Sequence, residues 1–178
     1  MKVPHVPLSD EDESIRNWDK FFIGMCVYIS QKSKDRSTKL GAVIVNDDND
    51  ILSVGWNGFC RGIDDEIEVW HSRPEKYYVT EHAERNAVFN AARIGVSLKG
   101  ATLYLPFEPT PCTDCTRAVI QAGIKTIVGT NFKFTGKGRQ WEENLDFANK
   151  MLSEADIDRV TIDVTGTDLD IRKFYGAE

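Results

Sequence analysis

The chain has 178 residues, 41% of them hydrophobic and 28% charged, which is enough for one domain with a buried core. Its net charge of −6 argues against a polynucleotide partner, because neutralising many phosphates needs a concentrated basic surface. No apolar run reaches the length of a membrane span, the polar start is unlike a signal peptide, and four cysteines do not make a disulfide framework. We therefore expect one domain over residues 1–178, in the cytoplasm and without membrane contact.

The first half of the chain predicts one helix and a β-hairpin. Residues 1–13 are expected to form a loose, acidic lead-in, followed by a helix from Ser14 to about Ser33, where apolar residues recur every three or four positions. The β-rich runs Leu40–Asn46 and Ile51–Trp56 predict an antiparallel hairpin. A long irregular segment then extends from Gly55 to about Val79, and its aromatic and charged residues favour a folded lid or interface over a free linker.

In the second half, helices and strands alternate. We expect helices beginning at about Glu81 and near Cys112, another through Trp141–Leu152, a short last helix over Asp168–Tyr175, and strands at Ala101–Pro106, Thr126–Thr130 and Val160–Val164. This order predicts an α/β fold with three layers, α/β/α, around a mixed and roughly five-stranded sheet whose later strands are parallel.

Two short motifs carry the chemical signal: His82-Ala83-Glu84 and Pro111-Cys112-Thr113-Asp114-Cys115. One imidazole and two thiolates give Zn²⁺ three protein ligands and leave its fourth tetrahedral position open, as in catalytic sites. A water in that position has its pKa lowered to roughly 7. We therefore predict a hydrolytic zinc site with His82, Cys112 and Cys115 as ligands and Glu84 as the proton carrier.

Local sequence also indicates how the thiols are presented. Thr110 is a plausible N-cap and Pro111 suits the first helical position, so both thiols are expected in the first turn of a helix. There the helix dipole favours the thiolate form.

Other readings of the cysteines and histidines stay open. A lone C-x-x-C can be a redox pair or half of a zinc ribbon, but a ribbon needs a second pair, and Cys26 and Cys60 are isolated. Cys26 lies in an apolar run and is expected in the core. A non-catalytic, zinc-stabilised binding module is the alternative from another class. It would need a fourth protein ligand such as Cys26, Cys60 or His71, whereas His5 lies in a proline-flanked terminus.

Several segments, in order, resemble the deoxycytidylate (dCMP) deaminases of the cytidine deaminase-like superfamily. They are His82-Ala83-Glu84-Arg85-Asn86-Ala87, Pro109–Cys115, Gln121–Lys125, Ser33-Lys34-Asp35 followed by Gly41–Val45, and Gly55-Trp56-Asn57-Gly58. The H-x-E and P-C-x-x-C pair by itself is typical of zinc-dependent nucleobase deaminases in general. The resemblance extends from about Cys26 to Asn131, and Cys60 stands where the family often has a proline.

The resemblance implies a reaction and a set of substrate contacts. A water activated by zinc would attack C4 of cytosine while Glu84 protonates N3 and then the departing amine, turning dCMP into dUMP for thymidylate synthesis. Asn57 would contact the base or sugar, although an asparagine between glycines can equally serve a turn. Phe132 and Phe134 could stack on the base or simply pack in the core. The predicted substrate-binding residues are Ser33, Lys34 and Arg36 for the 5′-phosphate, and Asn57, Ala83, Thr110 and Phe132.

The resemblance also implies regulation and assembly. Family members of this kind are commonly homohexamers, activated by dCTP and inhibited by dTTP, and Mg²⁺ could accompany the triphosphate effector. The candidate effector residues are Asn57, Gly58, Arg61 and Gly62, with Arg93 as a link to the catalytic end of its helix. Within the same fold, dCTP, free cytidine or tRNA adenosine are the alternative substrates.

Overall fold

The computed structural model describes residues 18–133, 139–167 and 169, and its elements follow the predicted order. The helices are α1 (Trp18–Ser30), α2 (Lys76–Val79), α3 (Ala83–Ile94), α4 (Thr113–Gln121) and α5 (Arg139–Glu154), and a 3₁₀ turn covers Glu68–His71. The strands are β1 (Gly41–Val45), β2 (Ile51–Trp56), β3 (Gly58–Phe59), β4 (Thr80–Glu81), β5 (Thr102–Tyr104), β6 (Thr126–Thr130) and β7 (Asp158–Ile162).

Five strands form one mixed sheet in the order β2-β1-β5-β6-β7. Strand β1 is antiparallel to both of its neighbours, whereas β5, β6 and β7 are parallel to one another. Strands β3 and β4 form a separate antiparallel pair. The predicted mixed, five-stranded sheet with parallel later strands is confirmed.

Helices cover both faces of this sheet. Neighbouring residues of a strand point to opposite faces, and all five residues of β1 are buried. Val43 and Val45 pack with Phe22 and Cys26 of α1, whereas Ala42 and Ile44 belong to a second cluster that α3, α4 and α5 complete. The three-layer α/β/α arrangement is therefore confirmed. So is the core position of Cys26, whose thiol donates to the Tyr104 carbonyl over 3.2 Å.

The ends of several elements differ from the prediction. Helix α3 begins at Ala83 rather than Glu81, because Thr80–Glu81 pair with Gly58–Phe59 instead. Strand β7 lies two residues earlier than predicted, in register with Thr126–Thr130 of β6. Helix α1 ends at Ser30, and the chain then turns through hydrogen bonds such as Ser33 N–H to the Ser30 carbonyl. The predicted helix start at Ser14 and nearly all of the last predicted helix fall outside the described residues.

Among the residues that the structure describes, no helix combines the length and the apolar character needed to cross a bilayer.

Helix α3 packs directly on the backbone of β2. A Cβ added to Gly55 would lie 2.2 Å from the Ala83 carbonyl oxygen and 2.4 Å from the Ala87 nitrogen. Hydrogen bonds reinforce this contact: the Ser53 hydroxyl donates to the Ala87 carbonyl, and the Asn86 amide donates to the Trp56 carbonyl. The missing side chain at Gly55 thus fixes where the first turn of α3 begins.

This close approach gives a stability prediction. Gly55→Ala should lower the free energy of unfolding by about 1–3 kcal/mol or more, because the backbone atoms of Ala83 and Ala87 leave no room for a methyl group. Gly58→Ala is the matched control, since nothing lies within 4 Å of its added Cβ. Urea unfolding of the two variants measures the difference. Equal stabilities would contradict the tight α3–β2 contact.

Candidate metal centre

Three donor atoms meet at one point of the structure. The Nδ1 atom of His82 lies 3.4 Å from the Sγ atoms of both Cys112 and Cys115, and all three donors lie within 4.8 Å of one another. Zn–S and Zn–N bonds at a tetrahedral angle would separate such ligand atoms by roughly 3.5–3.8 Å. The donor types and their spacing therefore fit a zinc ion. In the described part of the chain, no other group of three or more His, Cys, Asp or Glu could hold a metal.

The donors sit at the entrances of two helices. His82 is the N-cap of α3 in an extended conformation (φ −79°, ψ 157°), and Cys112 is the N-cap of α4 (φ −59°, ψ 163°). Cys115 lies in the first turn of α4 and is fully buried. Two helix N-termini, each with a positive dipole end, thus converge on one point, which favours thiolates and any developing negative charge there.

The predicted cap of α4 is wrong. Helix α4 begins at Thr113, and Cys112 rather than Thr110 occupies the N-cap position, because the Cys112 carbonyl accepts the first intrahelical hydrogen bond from Thr116 N–H over 2.8 Å. The Thr110 hydroxyl instead donates to Asn149 Oδ1 of α5 over 3.1 Å. Both thiols nevertheless lie at the helix entrance, one at the cap and one in the first turn.

Mutual hydrogen bonds set the protonation of the cluster. Hydrogen bonding to Cys115, helped by His82, lowers the pKa of the Cys112 thiol to about 4. The hydrogen bond to Cys112 raises the pKa of His82 to about 9, and the hydrogen bond to Cys112 together with burial raises the pKa of Cys115. A bound dication would compete with protons for all three of these donors.

Glu84 is buried beside the cluster without being one of its donors. Its side chain lies in the first turn of α3, the residue is 3% exposed, and its Oε2 atom is buried with no hydrogen-bond partner among the described residues. Burial raises the pKa of this carboxyl. An unsatisfied buried carboxylate oxygen is costly. Its persistence here suits a group that exchanges protons with a ligand.

No further described cysteine or histidine approaches the three donors. Cys60 is exposed. Cys26 belongs to α1 and is buried between that helix and the sheet. A ring nitrogen of His71 lies 2.8 Å from the Asp65 carbonyl oxygen. His5 lies outside the described residues. The described part of the chain thus offers three protein ligands and lacks the fourth that a closed structural zinc site would need.

The predicted phosphate contacts lie in the loop after α1. Ser33 is buried and its hydroxyl accepts a hydrogen bond from Asp35 N–H. Lys34 forms an ion pair with Asp65, and Arg36 forms one with Glu68 at 2.6 Å. Both cations are largely exposed, so the structure presents them at the surface with acidic partners that the sequence did not suggest.

A buried polar network, which sequence reasoning missed, links this loop to Asn57 and Lys76 in the long segment that follows β2. The Asp35 carboxylate accepts hydrogen bonds from Lys76 Nζ at 2.7 Å and from Asn57 Nδ2 at 3.2 Å. Burial alone would raise the pKa of Asp35, but the hydrogen bonds from Lys76 and from backbone N–H groups outweigh it and hold that pKa below its usual range. Asn57 also donates to the Thr38 carbonyl and accepts from Leu40 N–H, so its amide braces the loop.

Of the other predicted substrate residues, Ala83 and Thr110 lie near the two helix entrances, and Phe132 follows β6. Ala83 is fully buried at the start of α3, and Thr110 is 8% exposed in the segment before Cys112. Phe132 is partly buried and packs against the larger core cluster, and its N–H donates to the Thr130 hydroxyl. Phe134 lies outside the described residues.

The candidate effector residues lie along the loop after β2 and on α3. Gly58 pairs with Glu81, directly before His82, and Gly62 has a φ of 87°, which favours glycine. Arg61 hydrogen-bonds Asn90 Oδ1 of α3, and Arg93 is exposed in the last turn of that helix. The described link between this loop and α3 thus passes through Asn90, which sequence reasoning did not select.

Comparison with known proteins gives consistent matches. The family described as the cytidine and deoxycytidylate deaminase zinc-binding region matches residues 16–130. The deoxycytidylate deaminases of mouse and human are each 34% identical to the chain over 122 residues. That alignment covers 66% of this chain and 66% of each relative, which is just under two thirds of their length.

A bacterial relative and a solved structure match over more of their length. A protein of Aliivibrio fischeri named "Uncharacterized deaminase in luxG 3'region" is 35% identical over 159 residues, which cover 89% of this chain and 99% of that protein. The crystal structure of dCMP deaminase from the cyanophage S-TIM5, in complex with dCMP and dUMP, has a TM-score of 0.64 at 25% identity. That match covers 85% of this chain and 98% of the cyanophage chain.

Proposed function

The chain belongs to the family of cytidine and deoxycytidylate deaminases, and we propose that it hydrolyses dCMP to dUMP and ammonia with one zinc ion per chain. The observation that carries this proposal is the buried, unpartnered Glu84 oxygen beside three donors of the types that zinc prefers. Two further findings support dCMP as the substrate. The mouse and human relatives are named deoxycytidylate deaminase, and the similar cyanophage enzyme forms a complex with dCMP and dUMP.

The residues at this site would have two roles, metal binding and proton transfer. His82, Cys112 and Cys115 would hold the zinc ion, which when bound lowers the pKa of a water in its open position to roughly 7. Glu84 would take one proton from that water and deliver it to N3 of cytosine, and would then carry the second proton of the same water to the departing amine. The water oxygen would bond to C4, the bond between C4 and the amino nitrogen would break, and ammonia would leave. One carboxylate suffices, because Glu84 gives its first proton to N3 before it takes up the second one, which goes to the amine.

Glu84→Gln tests this assignment. The amide keeps the size of the side chain but cannot carry a proton, so turnover of dCMP should fall by at least ~10²–10⁴ while zinc content and fold are retained. Cys112→Ala should instead lose zinc first, and Cys60→Ala, which alters an exposed cysteine away from the cluster, should keep both zinc and activity. Metal analysis and ammonia release measure the two effects. Near-normal turnover by zinc-loaded Glu84→Gln would end the proposed role.

The 5′-phosphate is proposed to bind at Ser33, Lys34 and Arg36. Both cations are exposed, and their ion pairs with Asp65 and Glu68 lie at the surface, where solvent and salt screen such pairs and make them weak. A phosphate dianion could therefore replace these carboxylates at little cost. Asp65 and the phosphate would compete for Lys34.

This competition makes opposite predictions for the two partners of one ion pair. Lys34→Ala should weaken dCMP binding by about 1.5–3 kcal/mol, the cost of one charge-assisted contact, whereas Asp65→Ala should leave it unchanged or tighter. Lys32→Ala, which removes an exposed lysine two residues away, is the control. The readout is KM for dCMP and for deoxycytidine. Equal rates on nucleotide and nucleoside, or equal effects of Lys34→Ala on both, would contradict a phosphate site here.

We further propose that dCTP activates and dTTP inhibits a homohexamer, with Mg²⁺ on the effector triphosphate. The candidate site is formed by Asn57, Gly58, Arg61 and Gly62. Arg61 touches Asn90 of α3, and α3 carries His82 at its N-cap, so a rearranged loop could shift the metal end of that helix. Opposing effectors require two states that they bind unequally, with a typical coupling of ~1–3 kcal/mol. Supply of dUMP for thymidylate synthesis and a cytoplasmic location complete this proposal.

Saturation curves test the regulation. With dCMP as the varied substrate, dTTP should make the curve sigmoid and shift it to higher concentration, and dCTP should shift it to lower concentration, each in the presence of Mg²⁺. Arg61→Ala should reduce both shifts. For each protein, the shifts are measured relative to its own turnover without effectors. Hyperbolic curves that ignore both nucleotides would end the proposed regulation.

A further inference from the structure

Helix α4 begins without a capping side chain of its own. Ser, Thr, Asp or Asn at the N-cap normally accepts a hydrogen bond from a free N–H group of the first turn. Here the N-cap is Cys112, which makes no capping hydrogen bond, and its Sγ atom faces His82 instead. The helix that carries two of the three donors therefore needs another group to bind its first N–H.

Asn144 of α5 supplies that group. Its Oδ1 atom accepts a hydrogen bond from the Thr113 N–H over 2.9 Å, and its Nδ2 atom donates to the Thr113 hydroxyl over 2.9 Å. The oxygen and the nitrogen of the Asn144 amide thus both hydrogen-bond the first residue of α4, which directly follows Cys112. An asparagine from a neighbouring helix performs the capping role that the metal-facing thiol cannot.

The same helix holds the chain on the other side of Cys112. The Thr110 hydroxyl donates to Asn149 Oδ1, and the Thr116 hydroxyl donates to the Pro111 carbonyl over 3.1 Å. The segment before the cysteine and the residue after it are both fixed by side chains, and three of these four hydrogen bonds involve α5. The Cys112 backbone therefore has little freedom to turn its thiol away from His82.

We propose that Asn144 is a positioning residue for zinc: it fixes the entrance of α4 so that the thiols of Cys112 and Cys115 converge with His82. This inference rests on the proposed zinc role of those three residues. Without Asn144 the Thr113 N–H has no other acceptor among the residues that the structure describes. The first turn of α4 then loosens, and the Cys112 thiol must be ordered again each time the metal binds. Groups that orient metal ligands in this way typically change metal affinity by 10–100-fold.

Zinc affinity measures this role directly, without depending on turnover. Asn144→Leu keeps the approximate shape of the side chain and favours the helix, but it removes both hydrogen bonds to Thr113. Competition of the metal-free protein with a chromophoric chelator should show a zinc Kd raised about 10–100-fold. Asp146→Ala, an exposed change two residues further along α5, is the matched control and should leave the Kd unchanged. An Asn144→Leu Kd within about twofold of the wild type would overturn the inference.

A conservative variant separates positioning from general stability. Asn144→Asp retains an acceptor for the Thr113 N–H, and the Thr113 hydroxyl, which accepts from Asn144 Nδ2 in the wild type, can donate to the second carboxylate oxygen. Zinc affinity should therefore return to within about threefold of the wild type. In the cobalt-substituted protein, the thiolate-to-metal absorption should change in Asn144→Leu and return in Asn144→Asp. An Asn144→Asp variant that binds zinc as weakly as Asn144→Leu would contradict the assignment.

Two further measurements keep the test decisive. If Asn144→Leu does not fold, Thr113→Val removes only the hydroxyl partner and should weaken zinc binding at least about threefold; an unchanged Kd would overturn the proposal. Wild-type protein that binds no zinc would refute the proposed function itself. If the wild type binds zinc and Asn144→Leu binds it equally tightly, only the role of Asn144 is refuted.

Discussion

His82 and Cys112 occupy the N-cap positions of α3 and α4, so the candidate metal centre lies where two helix entrances meet. The sheet sets that meeting point through close backbone contacts. A Cβ on Gly55 would strike the backbone of α3, and a Cβ on Gly129 of β6 would lie 2.3 Å from the Phe107 carbonyl oxygen, in the chain that leads to Cys112. A glycine in the adjacent strand thus lets α3, and the chain that leads to α4, lie directly on the sheet backbone. The packing of these segments on the sheet sets the spacing of the donors.

The loop after α1 depends on a buried ion pair. Asp35 and Lys76 are almost completely covered, and Asn57 adds its amide to the same carboxylate. Replacing such a pair by apolar residues is often neutral or stabilising, but removing one partner leaves an uncompensated charge. Because the pKa of Asp35 is lowered in the folded protein, its stabilisation is fully present above the ordinary value of 3.8 and is lost as the pH falls through the lower folded-state value. The network fixes how the Gly58–Val79 stretch lies on the loop after α1.

Local patterns predicted most elements of the fold, and the errors share one cause. The hairpin, the Thr126–Thr130 strand and the mixed sheet follow from alternation and from turn residues, which are local signals. Helix α3 starts later than predicted because Thr80–Glu81 pair with Gly58–Phe59, more than twenty residues earlier in the chain. The cap of α4 was misassigned because Thr110 has a distant partner, Asn149. Propensity alone cannot show such partners.

The sequence by itself determined the donor types, their association with a glutamate, and the resemblance to the deaminase family, because metal chemistry depends on residue identity and short spacing. Tertiary structure alone decided which groups hold those residues in place. Asn144 binds Thr113 from 31 positions away, and Lys76 binds Asp35 from 41 positions away. Each contact depends on which helix faces meet after the sheet has formed, and no periodicity along the chain encodes that meeting.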